Sequence, residues 1–168
     1  MQVVIDSLES EVNRLERYTR SFNLRFLNVE ESEGENCREV LGTLLHDHLG
    51  LESSSIENAH RTGMRRDTGQ RHLIARFHSR VTRNEIIRRA RTADTRPPFV
   101  VIDDLTPADL QEKRRVSPAM KKLYEQGKRP RFYAGKLYVG GRPLKPQTIE
   151  KLLSEVADDD EHLTDTDD

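Results

Sequence analysis

The feature that most constrains this chain is a change of apolar period near residue 23. Before it, Met1, Ile5, Leu8, Val12, Leu15, Thr19 and Phe22 follow one another at spacings of four and three. That is a heptad seam on a helix, with Ser7, Glu9, Glu11, Asn13, Arg14, Glu16 and Arg17 on its polar faces. The pattern predicts a short coiled-coil helix over 1–22, with Ile5, Leu8, Val12, Leu15 and Phe22 as oligomer contacts. A single amphipathic helix docked on its own domain fits the same spacing.

After residue 23 strand and helix patterns take turns. Residues 23–29 alternate as a strand, with Leu24 and Phe26 on one face and Arg25 and Leu27 on the other. Residues 36–49 carry a helical stripe of Val40, Leu41, Leu44, Leu45 and Leu49, with Asn36 placed to cap it and Gly50 to stop it. Strands follow at 55–61 and 71–77, joined by a basic loop at 62–70. A helix over 81–93 buries Ile86, Ile87 and Ala90, and Pro97-Pro98 precedes a strand at 99–102. The order β-α-β-β-α-β within 23–104 predicts a ferredoxin-like sheet of four antiparallel strands with two helices on one face. Its open face would hold Arg25, Leu27, His72, Ile74 and Arg76.

Thr106-Pro107-Ala108-Asp109 starts another helix, expected to be disturbed at Pro118 and to stop near Gly127. Residues 131–134 and 136–139 read as a hairpin ended by Gly140-Gly141, and 148–156 as a short helix. Residues 158–168 read as an acidic tail too polar to pack. The expected class is α+β: a coiled-coil stub at 1–22, a ferredoxin-like domain of the RNA-recognition-motif (RRM) type at 23–104, a small α+β domain with a hairpin at 105–157, and a disordered tail.

Charge then points to a partner. The 168 residues hold 28 Lys and Arg against 29 Asp and Glu, a net charge of −1. The balance is segregated. Residues 1–59 sum to −7, 60–96 to +8, 97–108 to −2, 109–145 to +8 and 146–168 to −8. Every base in 60–96 is arginine, whose planar fork of donors suits phosphate and base stacking. Two basic blocks between acidic ends predict a phosphate polymer as ligand. No apolar run approaches a membrane span, and the first residues lack a signal-peptide pattern, so an intracellular protein without a membrane partner is expected. Cys37 is the single cysteine, which excludes an internal disulfide and a Cys-pair zinc site.

Catalytic patterns are weak. His46 and His48 lie two apart and do not share a helix face. Asp103-Asp104 ends a strand where a metal nuclease would place acids, yet alternation sends the two to opposite faces, and a turn or helix cap is the expected role. A nucleophile elbow and a phosphate-binding glycine loop are both absent. No enzyme activity and no cofactor or metal are expected.

Several stretches together carry a resemblance: Asn23-Leu24-Arg25 after the helix, Ala59-His60-Arg61-Thr62-Gly63, Arg71-His72-Leu73-Ile74-Ala75-Arg76-Phe77, Asp104-Leu105-Thr106-Pro107 at the junction, and Lys136-Leu137 in the hairpin. In order and spacing, over residues 10–157, the chain resembles the RNA-binding first-open-reading-frame protein of LINE-type retrotransposons. The resemblance implies a coiled coil, a non-standard RRM and a basic C-terminal domain. It also implies binding of single-stranded RNA or DNA, nucleic-acid chaperone activity, a homotrimer, and a cytoplasmic ribonucleoprotein with the nucleus as a second location. The coiled coil is shorter than the family's, and the acidic tail is not a family feature.

The outward sheet positions lack the aromatics on which an ordinary RRM stacks bases. Binding led by phosphates follows, with low sequence preference. The candidate contacts are Arg25, Arg61, Arg65, Arg66, Arg71 and Arg76 around the sheet, and Arg88, Arg89 and Arg91 at the second helix's end. Lys113, Arg114, Arg115, Lys121, Lys122 and Arg131 follow in the second basic block. The resemblance adds RNA-binding roles for the Lys113-Arg114 pair and for Tyr133, whose competing role is core packing. A strand of RNA would then run between the two small domains. Two other readings stay open: a protein-interaction adaptor on the same fold, and an inactive, decayed element copy.

Overall fold

The structure, a computed structural model, describes residues 1–64 and 69–164, with side chains as far as 159. Arg65 and Arg66 lie outside the described residues. The chain divides into two compact units, Met1–Asp104 and Leu105–Asp168.

The first unit opens with helix α1 (Gln2–Arg20), which has no buried residue. Leu8 and Val12 are more than half exposed, and Ile5 and Leu15 are exposed as well. The apolar seam is therefore open, and docking along the unit's own surface is overturned. Phe22 departs from its expected place in that seam. It lies past the helix end, its ring set edge-on to Tyr18 and covered by the guanidinium groups of Arg76 and Arg80.

Strand β1 (Asn23–Leu27) follows, then α2 (Cys37–Leu49), a 3₁₀ turn at Ser53–Ser55, β2 (Ile56–Arg61), β3 (Leu73–Phe77), α3 (Arg80–Thr92) and β4 (Val100–Asp103). The strands form one sheet in the order β2-β3-β1-β4 with every pair antiparallel. Asn36 caps α2 by accepting from the amides of Arg38 and Glu39, and Gly50 ends it in the left-handed conformation. The Ser79 hydroxyl caps α3 by accepting from the Val81 amide. The pleat sends Leu24 and Phe26 of β1, with Leu73, Ala75 and Phe77 of β3, into one core with Leu41, Leu45 and Leu49 of α2 and Ile86 of α3. Each such Leu, Ile or Phe contributes about 1.5–3 kcal/mol on burial. Gly42 lets α2 approach the 3₁₀ turn, since a Cβ there would lie 2.7 Å from that of Ser53. The opposite pleat positions pair Arg25 with Ile74 and with Ile102, and His60 with Ile74, as the alternation predicted for β1 and β3.

The second unit begins with α4 (Pro107–Glu125), capped by the Thr106 hydroxyl, which accepts from the Asp109 amide at 3.1 Å. Pro118 sits inside this helix without interrupting it, contrary to the expected break. A proline removes one backbone donor, and buried Val116, Ala119 and Leu123 hold both halves on the core. Strands β5 (Arg131–Tyr133), β6 (Lys136–Val139) and β7 (Arg142–Pro143) form a small antiparallel sheet in that order. Its turns are Ala134-Gly135 and Gly140-Gly141, all four with positive φ. The second turn adds β7, where the sequence reading ended the sheet. Helix α5 runs Pro146–Thr164, well past the expected end at 156, so residues 158–164 continue a helix. Ion pairs from its acids to α4 support the extension, with Lys122 Nζ lying 3.3 Å from Glu155 and 3.1 Å from Asp159. Residues 165–168 of the tail lie outside the described residues. Among the described residues no helix is long and apolar enough to cross a membrane.

Candidate nucleic-acid interface

A phosphate strand needs cations that are exposed and not already committed. In the first unit most candidate arginines are committed. The Arg61 side chain is 4% exposed, and all five of its N–H donors find acceptors. Nε and Nη2 donate to the Glu35 carboxylate, Nη2 also to the Glu30 carbonyl, and Nη1 to the carbonyls of Val29 and Arg71. Arg61, the last residue of β2, is thus a buried clasp between the β1–α2 loop and the end of the β2–β3 loop, with no donor left for a phosphate. This corrects the reading of Arg61 as a contact. Arg71 beside it pairs with Glu31 and donates to the Gly63 carbonyl.

The pattern repeats across the unit. Arg25 donates to Asp104 at 2.8 Å, and Arg76 reaches Glu57 and the Thr19 carbonyl. Arg83 pairs with Asp103. Arg88 and Arg89 share Glu85, and Arg89 also donates to the carbonyls of Leu49 and Gly50 at the end of α2. Those two arginines hold the Glu85 carboxyl down at about 2. Arg91 is exposed, with no ion-pair partner among the described residues. Four acids outside the block, Glu31, Glu35, Glu57 and Asp103, pair with arginines of residues 60–96, so they offset half of its +8, while Asp104 takes up Arg20 and Arg25.

The two junction acids do point apart. Asp103 meets Arg83 of α3, while Asp104 is buried and accepts from Arg20 at 3.2 Å, Asn23 at 3.0 Å and Arg25 at 2.8 Å. Asp104 is an ion-pair hub rather than the expected helix cap, which is Thr106. His72 stands 3.4 Å from Arg25, and burial, aided by that positive charge, lowers its pKa. His46 meets only the neighbouring Asp47, and the His48 ring sits edge-on to Phe99. Among the described residues no group of His, Cys, Asp and Glu is set to hold a metal ion.

The clasp has a pH consequence. Hydrogen bonds from Arg61 hold the Glu35 carboxyl below its ordinary 4.5, and those from Arg71 do the same for Glu31. A carboxylate lowered by folding stabilises the fold above its unfolded value and loses that as pH falls through the folded one. Urea midpoints should stay level from pH 7 to 5 and drop below about pH 4.3, with a shallower drop in Glu35→Gln. An equally steep drop in that variant would show that Glu35 does not carry the dependence.

The second unit is different. On α4, Lys113, Arg114, Ser117 and Lys121 are exposed and lie at helical spacings of three and four, on one outward face with Tyr124. Lys113, Arg114 and Lys121 have no ion-pair partner among the described residues. Arg115 and Lys122 turn toward α5. Arg115 pairs with Glu112 at 2.8 Å and with Glu150 at 2.7 Å, and Lys122 with Glu155 and Asp159. These two are less available than the sequence suggested.

The small sheet offers a second surface. Phe132 and Leu137 pair across it and pack inward. The other face pairs Tyr133 with Lys136 and Arg131 with Tyr138. Tyr133 is 67% exposed, which excludes its alternative role in the core. Lys136 was missed as a candidate contact. Reading Ala134-Gly135 as a two-residue turn would have set it opposite Tyr133. Lys128 and Arg129, exposed and without an ion-pair partner among the described residues, precede β5 and were missed too, because no periodic pattern marks them.

No protein-family profile and no curated protein matches the chain.

Proposed function

We propose that the chain is a single-stranded nucleic-acid-binding protein, chiefly for RNA, acting as a nucleic-acid chaperone in a retrotransposon ribonucleoprotein. The observation that carries this reading is the outward face of the small sheet, where Tyr133 stands open beside Lys136 and Arg131. An exposed aromatic among cations that no carboxylate holds among the described residues is what sequence-tolerant stacking on a phosphate-bearing strand requires. The β-α-β-β-α-β order with strands arranged β2-β3-β1-β4 supports an RRM-type reading of 23–104. The commitment of that unit's arginines moves the expected phosphate contacts to residues 113–136. Titrating affinity for single-stranded RNA against salt tests the reading. The log-log slope should have a magnitude of about 4 or more, and Tyr133→Ala should weaken binding by about 1–3 kcal/mol without changing the slope. A flat plot would sink the mechanism.

The open seam of α1 supports self-association, and the resemblance supplies the trimer as its expected form. A helix of 19 residues is near the lower limit for such packing, so assembly should depend on concentration. Light scattering should show trimers that fall to monomers in a Leu8→Glu, Leu15→Glu double variant. A monomer at every concentration would remove the coiled coil from the proposal.

A further inference from the structure

We propose that Ser117 is a phosphorylation site, and that its phosphate is taken up by Lys113, Arg114 and Lys121, withdrawing the outward face of α4 from nucleic acid. The second half of this proposal rests on the RNA-binding reading above.

Ser117 occupies the centre of that face. Lys113 and Arg114 lie four and three residues before it, and Lys121 four residues after, so all three side chains neighbour its hydroxyl on the helix surface. Ser117 is exposed, as are the three cations, and none of the three is held by a carboxylate among the described residues. Arg115 and Lys122, which α5 engages, project from another side of the helix.

The local sequence is Arg114-Arg115-Val116-Ser117-Pro118. Two arginines at the third and second positions before a serine suit a kinase whose substrate cleft is acidic there, since kinases select substrates by charge pattern. Proline directly after the serine selects, within that class, a kinase that needs no amide donor at the next position. The same proline weakens the helix where it must open. Pro118 supplies no N–H to the Arg114 carbonyl four residues earlier, and it disfavours helical geometry at Ser117. A kinase cleft reads extended chain, so buried Val116 and Ala119 must leave the core for transfer to occur. Local opening therefore precedes modification.

The co-substrate is magnesium ATP. The Ser117 Oγ attacks the γ-phosphorus, an O–P bond forms, and the bond from phosphorus to the bridging oxygen breaks. ADP leaves with that electron pair, and the hydroxyl proton passes to the kinase's base. The product carries about −1.5 to −2 charge at neutral pH, enough to offset about two of the three cations.

The test uses the full chain. A proline-directed kinase that selects arginine three residues before the serine, given magnesium ATP, should place one phosphate on Ser117 by mass spectrometry and none there on Ser117→Ala. Val116→Ala, which loosens the core under the site, should speed incorporation. A protein synthesised with phosphoserine at 117 should bind single-stranded oligouridylate roughly 25-fold more weakly near 0.1 M salt. Its log-log salt slope should shrink by about 1.4, the loss of two phosphate contacts. No incorporation at Ser117, or slower incorporation in Val116→Ala, would overturn the site. Unchanged affinity and slope with phosphoserine would overturn the switch. Failure of the unmodified protein to bind the oligonucleotide would instead overturn the RNA-binding reading, and the switch with it, while the site would stand on the mass measurement.

Discussion

Arg61→Ala is expected to lower the protein's unfolding free energy by about 3–5 kcal/mol, the cost of removing one partner from a buried ion pair. The substitution does more than delete a charge. It leaves the Glu35 carboxylate, 9% exposed, without its counter-ion. It also strips a donor from each of the carbonyls of Val29, Glu30 and Arg71. Lysine cannot replace the fork, since its ammonium has three donors on one atom, so Arg61→Lys should recover only part of the loss. Arg88→Ala, on an exposed pair within α3, should leave the unfolding midpoint close to the parent's. Urea unfolding followed by circular dichroism separates these outcomes. A loss below about 1 kcal/mol for Arg61→Ala would mean that the clasp does not hold the two loops.

Reversing three charges on α4 should produce the largest change in binding. Lys113→Glu, Arg114→Glu and Lys121→Glu together remove about three phosphate contacts, which alone is worth about a hundredfold near 0.1 M salt and about 2 in the salt slope. The three are exposed and outside the core, so the fold should survive. Replacing Arg71, Arg76 and Arg88 by glutamine makes the informative comparison. Sequence position alone weights both sets equally. The structure commits the second set to Glu31, Glu57 and Glu85, so its binding effect should be small. Equal losses would show that the sheet unit shares the strand.

These two outcomes also mark where the sequence stops being readable. The period change at residue 23, the stripe on α2 and its caps are local, and they were legible. The use of an arginine is not local. Arg61 and Glu35 are 26 residues apart, and only the sheet register brings the end of β2 to the loop that carries Glu35. Net charge by segment therefore overstated the first basic block, whose acids lie mostly outside it. Pro118 misled for a related reason, since Val116, Ala119 and Leu123 outweigh one missing backbone bond. Past residue 156, Asp159 pairs with Lys122 of α4, a contact that composition does not reveal, so the acidic stretch read as unstructured. Tyr133 was undecided until pairing with Lys136 fixed its face.

The acids of α5 give the second unit a handedness of charge. Glu150, Glu155 and Asp159 lie against one side of α4, while Lys113, Arg114 and Lys121 project from another. Such a unit is a dipole in solution. A polyanion drifting toward it would exert a torque that swings the lysine side forward and repels the α5 side. Encounter would thus be oriented before contact, and a strand once bound would be kept from wrapping around the helix pair. On the helix pair itself, the footprint would be confined to one flank of α4.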